Sequence, residues 1–324
     1  MSIEANSSCP HQKEMNTRAQ PKKQRGSDVA RQRWLLLGKA LRQGKCTNGI
    51  TTAMTSDVSV RRFTTYMLLS AKPMMPNDGR EYAWFEYTCP SHQAFCVQIR
   101  HLMKRFSPED LIGFNNTGNV CVWPSEEILA YHCLKEKDQF RGKTVCELGG
   151  GMSCLAGIAV ATTTEADRVI LTDGNKLSCD NIQVISERNQ DKFGQTQVET
   201  RELRWNEPSS YADLRECVDV ILCADCLFFD QYRTDLVDTI NSLLARDGKA
   251  LIFAPRRGHT LEKFCQKAKE RFHLILEENY DSAVWNVYQE AKMQGREIFD
   301  EDIHYPLQII LTRRADFTAG TQIK

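Results

Sequence analysis

The sequence predicts an α/β fold with a doubly wound, mostly parallel sheet, on two observations. From about Glu126 onward, short and nearly continuous apolar segments alternate with amphipathic helical segments. This alternation is typical of a parallel sheet that helices cover on both faces. In addition, hydrophobic residues make up 41% and charged residues 26% of the 324 residues, which is the composition of an ordinary globular protein.

The alternation predicts seven strands and four helices in this main region. The predicted strands are Thr144–Leu148, Arg168–Asp173, Val198–Arg204, Val218–Ala224, Ala250–Ala254, His273–Glu277 and Leu307–Leu311. The predicted helices are Ser153–Thr163, Lys176–Gln190, Tyr232–Leu244 and Thr260–Arg271. Ahead of them, partly alternating segments at Val58–Tyr66, Tyr82–Tyr87 and Phe95–Ile99 surround a turn-rich connector and predict a small antiparallel β-element.

Three regions follow one another along the chain: a basic and largely disordered segment (1–57), the β-element (58–113) and the main domain (114–324). The first region holds ten basic and four acidic residues, with a short helix predicted at Trp34–Leu41. The rest of the chain holds 32 basic and 38 acidic residues, so it lacks the basic surface of a nucleic-acid-binding enzyme. No apolar run approaches the ~20 residues of a membrane helix, which argues against a membrane protein.

The thirteen cysteines are an odd number and lack the regular spacing of a disulfide scaffold. The first residues contain no apolar signal-peptide core. We therefore expect reduced thiols and a location in the cytoplasm and nucleus. We also expect a monomer. A transit peptide is the alternative for the basic segment, and the acidic residues Glu4, Glu14 and Asp28 argue against it.

A glycine-rich segment, Gly149–Gly151, follows the first predicted strand and precedes a helix. Such a turn lets the backbone approach a nucleotide-like ligand at the helix N-terminus. Glu147 precedes the glycines and would repel a pyrophosphate, and Cys154 stands where a dinucleotide-binding fingerprint has its third glycine. A ligand with a cationic group and no phosphate fits this segment better than a dinucleotide.

Asp173 ends the second predicted strand, about twenty residues after the glycines. A carboxylate at this point can accept hydrogen bonds from both ribose hydroxyls of an adenosine ligand. The alternative is that Asp173, which precedes a glycine, only forms a turn. Its spacing from the glycine segment favours the ribose-binding role.

These motifs together resemble the class I, seven-stranded S-adenosylmethionine-dependent methyltransferases. The resemblance implies a Rossmann-like sheet whose last strand, Leu307–Leu311, is antiparallel. It also implies S-adenosylmethionine as cofactor, which carries a sulfonium, an ammonium and no phosphate, so that Glu147 has a cation nearby to balance. A nicotinamide-dependent oxidoreductase is the less favoured alternative, because Glu147 and the missing third glycine argue against it.

The segment Cys223-Ala-Asp-Cys-Leu-Phe-Phe-Asp at the end of the fourth predicted strand resembles the Asp-x-x-Tyr/Phe motif of the family 16 protein lysine methyltransferases. That resemblance implies that Asp225 and Phe228 line the channel where the target lysine meets the methyl donor. The motif lacks the Pro-Pro of nucleic-acid amino-methyltransferases, which argues against base methylation. Cys223 and Cys226 have no second ligand pair at zinc spacing, so we expect them to be packing residues and no metal to be bound.

Further segments, among them Asn116–Glu127, Leu171–Asn175 and Phe253–Gly258, extend the resemblance over residues 58 to 313. This closer resemblance implies a methylated lysine on calmodulin, modified up to three times. It places Trp123, Trp205 and Ala224 at the cofactor, although each tryptophan could instead be a core residue. Calmodulin is acidic, so Arg256 and Arg257, after the fifth predicted strand, are candidate docking residues; a solvated pair is the alternative. Three other readings stay open, namely another protein lysine, a small amine, or a scaffold without activity.

Overall fold

The computed structural model describes residues 66–75, 81–103, 122–228, 230–296 and 298–314. All of them belong to one compact unit, 47–324. The helix predicted near Trp34 and most of the strand predicted at Val58–Tyr66 lie outside the described residues. So does segment 1–57, and the division into three regions stays a prediction.

Ten strands in two sheets form the framework of the described part of the chain. The strands are β1 (Ser70–Pro73), β2 (Tyr82–Cys89), β3 (His92–Leu102), β4 (Thr144–Leu148), β5 (Arg168–Asp173), β6 (Gln197–Glu202), β7 (Val218–Ala224), β8 (Leu244–Pro255), β9 (Phe272–Glu277) and β10 (Pro306–Arg313). The large sheet has the order β6-β5-β4-β7-β8-β10-β9, and β10 runs antiparallel to both of its neighbours. The predicted α/β fold with seven strands and an antiparallel last strand is therefore confirmed.

Seven α-helices accompany these strands in the residues that the structure describes. They are α1 (Pro124–Lys135), α2 (Leu155–Thr163), α3 (Lys176–Asn189), α4 (Arg233–Leu243), α5 (Thr260–Ala268), α6 (Ser282–Met293) and α7 (Glu301–His304). Short 3-10 turns occur at Lys137–Phe140, Gln190–Lys192, Pro208–Leu214 and Asp230–Tyr232. Strands β4 and β7 are buried along almost their whole length, because helices cover both faces of the sheet at its centre.

Several elements differ from the sequence prediction. The third predicted strand, Val198–Arg204, ends at Glu202, so Trp205 lies beyond it. Strand β8 begins at Leu244 rather than Ala250, and β1, α1 and α7 lie outside the predicted strands and helices. The same holds for helix α6. It forms because the Asp281 carboxylate caps its N-terminus, accepting hydrogen bonds from Ala283 N (2.8 Å) and Val284 N (3.0 Å).

The small sheet, β1-β2-β3, is antiparallel as predicted and packs on the helices of the large one. Gln98 of β3 and Asn189 of α3 form a reciprocal pair: the Gln98 amide donates to Asn189 Oδ1 (2.9 Å), and Asn189 Nδ2 donates to Gln98 O (2.8 Å). Over the residues that the structure describes, no helix is both long and apolar enough to cross a membrane.

Candidate active site

The candidate site lies at one edge of the large sheet. Strands β5, β4, β7 and β8 are parallel, so their carboxyl ends meet at this edge. The chain passes from β4 to β5 on one side and later to β7 on the other. This reversal of strand order opens a crevice, and such a crevice is where open α/β sheets bind ligands. Four sets of predicted residues follow these strands: Gly149–Gly151, Asp173, Asp225 and Arg257.

The glycine segment after β4 is closely packed from below. Gly149 has φ +65°, and a Cβ there would lie 2.8 Å from Cys226 Sγ and 3.1 Å from the Trp205 ring. Gly151 has φ +61°, in the same left-handed region. Only glycine combines this backbone with so close an approach. The turn therefore presents no side chain to a ligand, while Gly150 N and Gly151 N donate within the protein to Thr172 O (3.0 Å) and Asp173 Oδ2 (2.9 Å).

Asp173, at the tip of β5, is joined directly to this turn. Its Oδ2 accepts a hydrogen bond from Gly151 N (2.9 Å), and its Oδ1 accepts one from Asn175 N (2.8 Å). Burial raises the pKa of Asp173 to about 6, against the opposing effect of these amides. The structure thus brings together the two features that the sequence assigned to one adenosine ligand.

Glu147 has a different environment from the predicted one. Its side chain is completely buried, and its Oε2 accepts a hydrogen bond from Gly157 N in α2 (2.5 Å). Burial first, and then the neighbouring Glu126 carboxyl, raise the pKa of Glu147 well above its usual range. The Glu147 side chain thus has no exposed surface at the crevice. We assign Glu147 to the support of the turn, because a Cβ on Gly150 would lie 2.8 Å from its Oε1.

Two other supports of the turn were missed by the sequence analysis. Asn181 Nδ2 of α3 donates to Met152 O (2.7 Å), directly after the glycines. Glu126 Oε1 of α1 accepts from Ala156 N (2.9 Å) at the start of α2. Neither contact has a local sequence signal, since each joins residues about thirty positions apart.

Both tryptophans lie beside the crevice. Trp205 is 7% exposed and packs against Gly149, while its carbonyl accepts a hydrogen bond from Thr239 Oγ1 (3.3 Å). Trp123 precedes Pro124 at the N-terminus of α1 and is partly buried. Trp205 thus lies on the glycine side of the site and Trp123 on the side of Arg257, whose guanidinium carbon is 5.6 Å from the centre of its ring.

Asp225 and Phe228 come together with an arginine after β7. Asp225 follows Ala224, the buried last residue of β7, in a left-handed conformation (φ 56°), and its amide donates to Phe253 O (2.9 Å). Arg257 Nη2 donates to Asp225 Oδ2 at 2.7 Å, and the Arg257 guanidinium carbon lies 5.5 Å from the centre of the Phe228 ring.

The predicted docking pair is therefore divided by the structure. Arg256 has a 40% exposed side chain and faces Glu262 (3.6 Å) and Glu278 (3.8 Å), whereas Arg257, at 22%, lies inside the site. Consecutive residues after a strand point in different directions, and the sequence pattern alone assigns both to one surface.

With this geometry in place, comparison with known proteins identifies the family. A family model described as lysine methyltransferase matches residues 109–271, half of the chain. The chain belongs to this family of lysine methyltransferases.

Individual relatives agree with this assignment. The methyltransferase is 41% identical over 215 residues to the calmodulin-lysine N-methyltransferase of Arabidopsis thaliana, a match that covers 64% of this chain and 70% of the relative. Among solved structures it is similar to a putative methyltransferase complexed with SAH (TM-score 0.48, 13% identity, 74% of this chain and 58% of that one). It is also similar to a SAM-dependent methyltransferase from Aquifex aeolicus (TM-score 0.40, 12% identity, 64% and 98%).

The candidate site has two parts, which we name for the roles proposed below. The donor half contains the glycine turn, Asp173 and Trp205; the acceptor half contains Asp225 and Phe228, in contact with Arg257. The donor half combines a turn without side chains, a carboxylate and an aromatic ring.

The two cysteines of the acceptor segment have packing roles. Cys226 Sγ lies 3.5 Å from Leu148 O, beneath the glycine turn, and Cys223 is fully buried at the end of β7. The hydrogen bond with Cys223, and then burial, raise the pKa of Cys226 well above its usual range. Within the described ranges, no three His, Cys, Asp or Glu side chains are grouped as metal ligands would be.

Proposed function

We propose that this lysine methyltransferase transfers methyl groups from S-adenosylmethionine to a lysine of calmodulin, up to three times. The observation that carries the proposal is the pairing of a carboxylate and an aromatic ring, Asp225 and Phe228, beside the glycine turn. The identity of 41% to a relative named for calmodulin-lysine methylation supports calmodulin as the protein substrate. The cytoplasm and nucleus as location, and a monomeric state, remain part of the proposal.

The donor half would bind the cofactor through three kinds of contact. The carboxylate of Asp173 accepts hydrogen bonds from the ribose hydroxyls, the glycine turn, which has no side chains, lies against the methionine part, and the Trp205 ring packs near the adenine. When bound, S-adenosylmethionine supplies an electrophilic methyl group on a sulfonium. The chain's own task is then to hold that methyl in line with the incoming amine.

The acceptor half has to bind the target lysine with its amine in the neutral, nucleophilic form. A free lysine has a pKa of ~10.4, so at pH 7 only about one molecule in a few thousand is neutral and nucleophilic. The Asp225 carboxylate can accept a hydrogen bond from the amine, orient its lone pair and disperse the positive charge that develops. The Phe228 ring provides a water-poor wall whose π face favours an alkylated ammonium.

The test is methyl transfer from labelled S-adenosylmethionine to purified, unmodified calmodulin by the wild type and by Asp225→Asn. Asparagine tolerates the left-handed backbone that this position requires, so the variant removes the charge and leaves the fold intact. We expect label on calmodulin and a loss of about 10²-fold or more in kcat in the variant, with cofactor affinity preserved in calorimetry. Asp238→Asn, which alters an aspartate paired with Arg271 (2.8 Å), is the matched control.

Two results would contradict the proposal in different ways. Cofactor binding without any label on calmodulin would leave the family assignment in place and overturn the substrate; another protein lysine or a small amine would then be tested. Undiminished transfer by Asp225→Asn would overturn the role given to the carboxylate.

A further inference from the structure

Arg257 contacts the two residues, Asp225 and Phe228, that the proposed function assigns to the target lysine. Its Nη2 is 2.7 Å from Asp225 Oδ2, and its guanidinium carbon is 5.5 Å from the Phe228 ring centre and 5.6 Å from that of Trp123. A carboxylate and aromatic faces are the partners that a lysine ammonium also selects. One volume cannot hold the guanidinium and the substrate ammonium together.

The side chain of Arg257 can move although its backbone is fixed. The Arg257 amide donates to Asp302 O (2.7 Å), and the next amide, Gly258 N, donates to Asp302 Oδ2 (2.8 Å). The Arg257 side chain is 22% exposed and that of Asp225 is 9% exposed. The guanidinium therefore lies between solvent and the carboxylate, and a long, flexible arginine can swing outward without a change in the fold.

We infer that Arg257 is a specificity-determining residue: it occupies the acceptor position before substrate arrives, and it leaves Asp225 for a carboxylate on the incoming protein. The inference rests on the proposed function, since it requires an acidic protein substrate. Calmodulin supplies such carboxylates in quantity, because each EF-hand loop binds calcium through Asp and Glu side chains.

The selectivity follows from the exchange of one ion pair for another. Departure of Arg257 breaks a charge-assisted hydrogen bond with Asp225, and a carboxylate beside the target lysine replaces it with a bond of the same kind. A lysine with neutral neighbours brings no carboxylate for Arg257, so the hydrogen bond between Arg257 and Asp225 is broken without a new one being formed. The site thus prefers a lysine next to an acidic residue, even though the lysine itself contacts only Asp225 and the aromatic rings.

The experiment is a cycle of substitutions across the two proteins, with the full chain as enzyme. The substrates are calmodulin and variants of it in which each acidic residue flanking the methylated lysine is changed to the amide, one at a time. The enzymes are the wild type and Arg257→Gln. For the wild type, we expect one neutralised carboxylate to lower kcat/KM by about 10- to 100-fold, the range for a hydrogen bond to a charged group. For Arg257→Gln, we expect the same change to alter kcat/KM less than about threefold, since the partner of the carboxylate is gone.

A second measurement uses n-butylammonium as a mimic of the lysine side chain. Because the guanidinium blocks its position, we expect its competitive inhibition constant to fall about tenfold in Arg257→Gln. An unchanged constant would overturn the occupancy of the acceptor position by Arg257.

Two further variants separate this role from others. Arg271→Gln removes an arginine that pairs with Asp238 (2.8 Å). Arg271 directly precedes β9, at the opposite edge of the sheet, so this variant should behave as the wild type. Arg256→Gln should raise KM for calmodulin and keep the wild-type ratio between the calmodulin variants.

The outcomes that overturn the inference are distinct from failure of the proposed function. If Arg257→Gln is slowed by one factor on every substrate, Arg257 only positions Asp225, and the inference is wrong. If the wild type itself does not distinguish the calmodulin variants, the inference is also wrong, whatever the stability of Arg257→Gln. If the wild type puts no label on calmodulin at all, the proposed substrate has failed instead.

Discussion

Two glycines in the same left-handed conformation offer a test of how the donor half is built. Gly149 and Gly142 both have φ +65°. A Cβ on Gly142 would meet no atom within 4 Å, whereas a Cβ on Gly149 would lie 2.8 Å from Cys226 Sγ and 3.1 Å from the Trp205 ring. The substitutions Gly142→Ala and Gly149→Ala therefore impose the same backbone strain and differ in packing.

The magnitudes follow from this difference. Alanine in the left-handed region costs about 1–2 kcal/mol in either variant. Overpacking against Cys226 and Trp205 adds about 1–3 kcal/mol for Gly149→Ala alone. In a domain of this size each kcal/mol lowers Tm by about 2–4 °C. We thus expect both variants to melt below the wild type, with Gly149→Ala clearly the lower of the two.

Thermal unfolding and cofactor calorimetry measure the two consequences separately. Gly142→Ala should bind S-adenosylmethionine as the wild type does. Gly149→Ala should bind it about tenfold more weakly, as expected when contacts worth about 1.4 kcal/mol are lost. Equal losses of Tm in the two variants, or unchanged affinity in Gly149→Ala, would refute the argument that close packing beneath the turn shapes the cofactor site.

Three further predictions concern carboxylates. Burial raises the pKa of Asp173 to about 6, and in the proposed binding mode the ribose hydroxyls donate to its ionised form. The affinity for S-adenosylmethionine should therefore fall as the pH drops through 6. In calorimetry, Asp173→Asn, which lacks this titration, should show a flatter pH profile. Because the pKa of Asp173 is higher in the folded than in the unfolded chain, the folded chain binds the proton more tightly. The contribution of Asp173 to the free energy of unfolding should therefore decline as the pH rises from about 4 to about 6. Asp281→Ala removes the helix cap that accepts from Ala283 N and Val284 N, and the ion pair with Lys135 (2.6 Å). Urea unfolding should show a loss of about 1–2 kcal/mol in the free energy of unfolding. An unchanged urea midpoint would contradict the capping role.

Much of the fold could be predicted because its strands are short and apolar. The predicted bounds of β4, β5 and β7 agree with the structure residue for residue, since each is a continuous buried segment that ends at a turn or a polar residue. The antiparallel last strand followed from the resemblance to a family, since an apolar segment alone does not reveal its direction. Helix α6 was missed because only three of its twelve residues, Val284, Tyr288 and Ala291, are buried, and because its capping residue, Asp281, is a common turn former.

The candidate site was predictable wherever its residues follow strands and unpredictable wherever they meet through space. The glycine turn and Asp173 lie as expected, because parallel strands bring their carboxyl ends to one edge. The raised pKa of Glu147 depends on burial and on the carboxyl of Glu126, which belongs to helix α1. The contact of Arg257 with Asp225 joins residues 32 positions apart and is equally invisible to a motif.

The backbone of the acceptor half indicates why an arginine is found there at all. Five described residues other than glycine have positive φ, and three of them, Cys154 (φ 42°), Asp225 (φ 56°) and Arg257 (φ 42°), border the crevice. Aspartate tolerates this conformation, but for arginine it costs about 1–2 kcal/mol. A glycine at position 257 would relieve that strain and would keep both hydrogen bonds with Asp302, since they use only backbone amides of this turn. What glycine lacks is the guanidinium on Asp225. The strain at position 257 therefore indicates that the site requires the arginine side chain on Asp225, and not only the turn that its backbone forms.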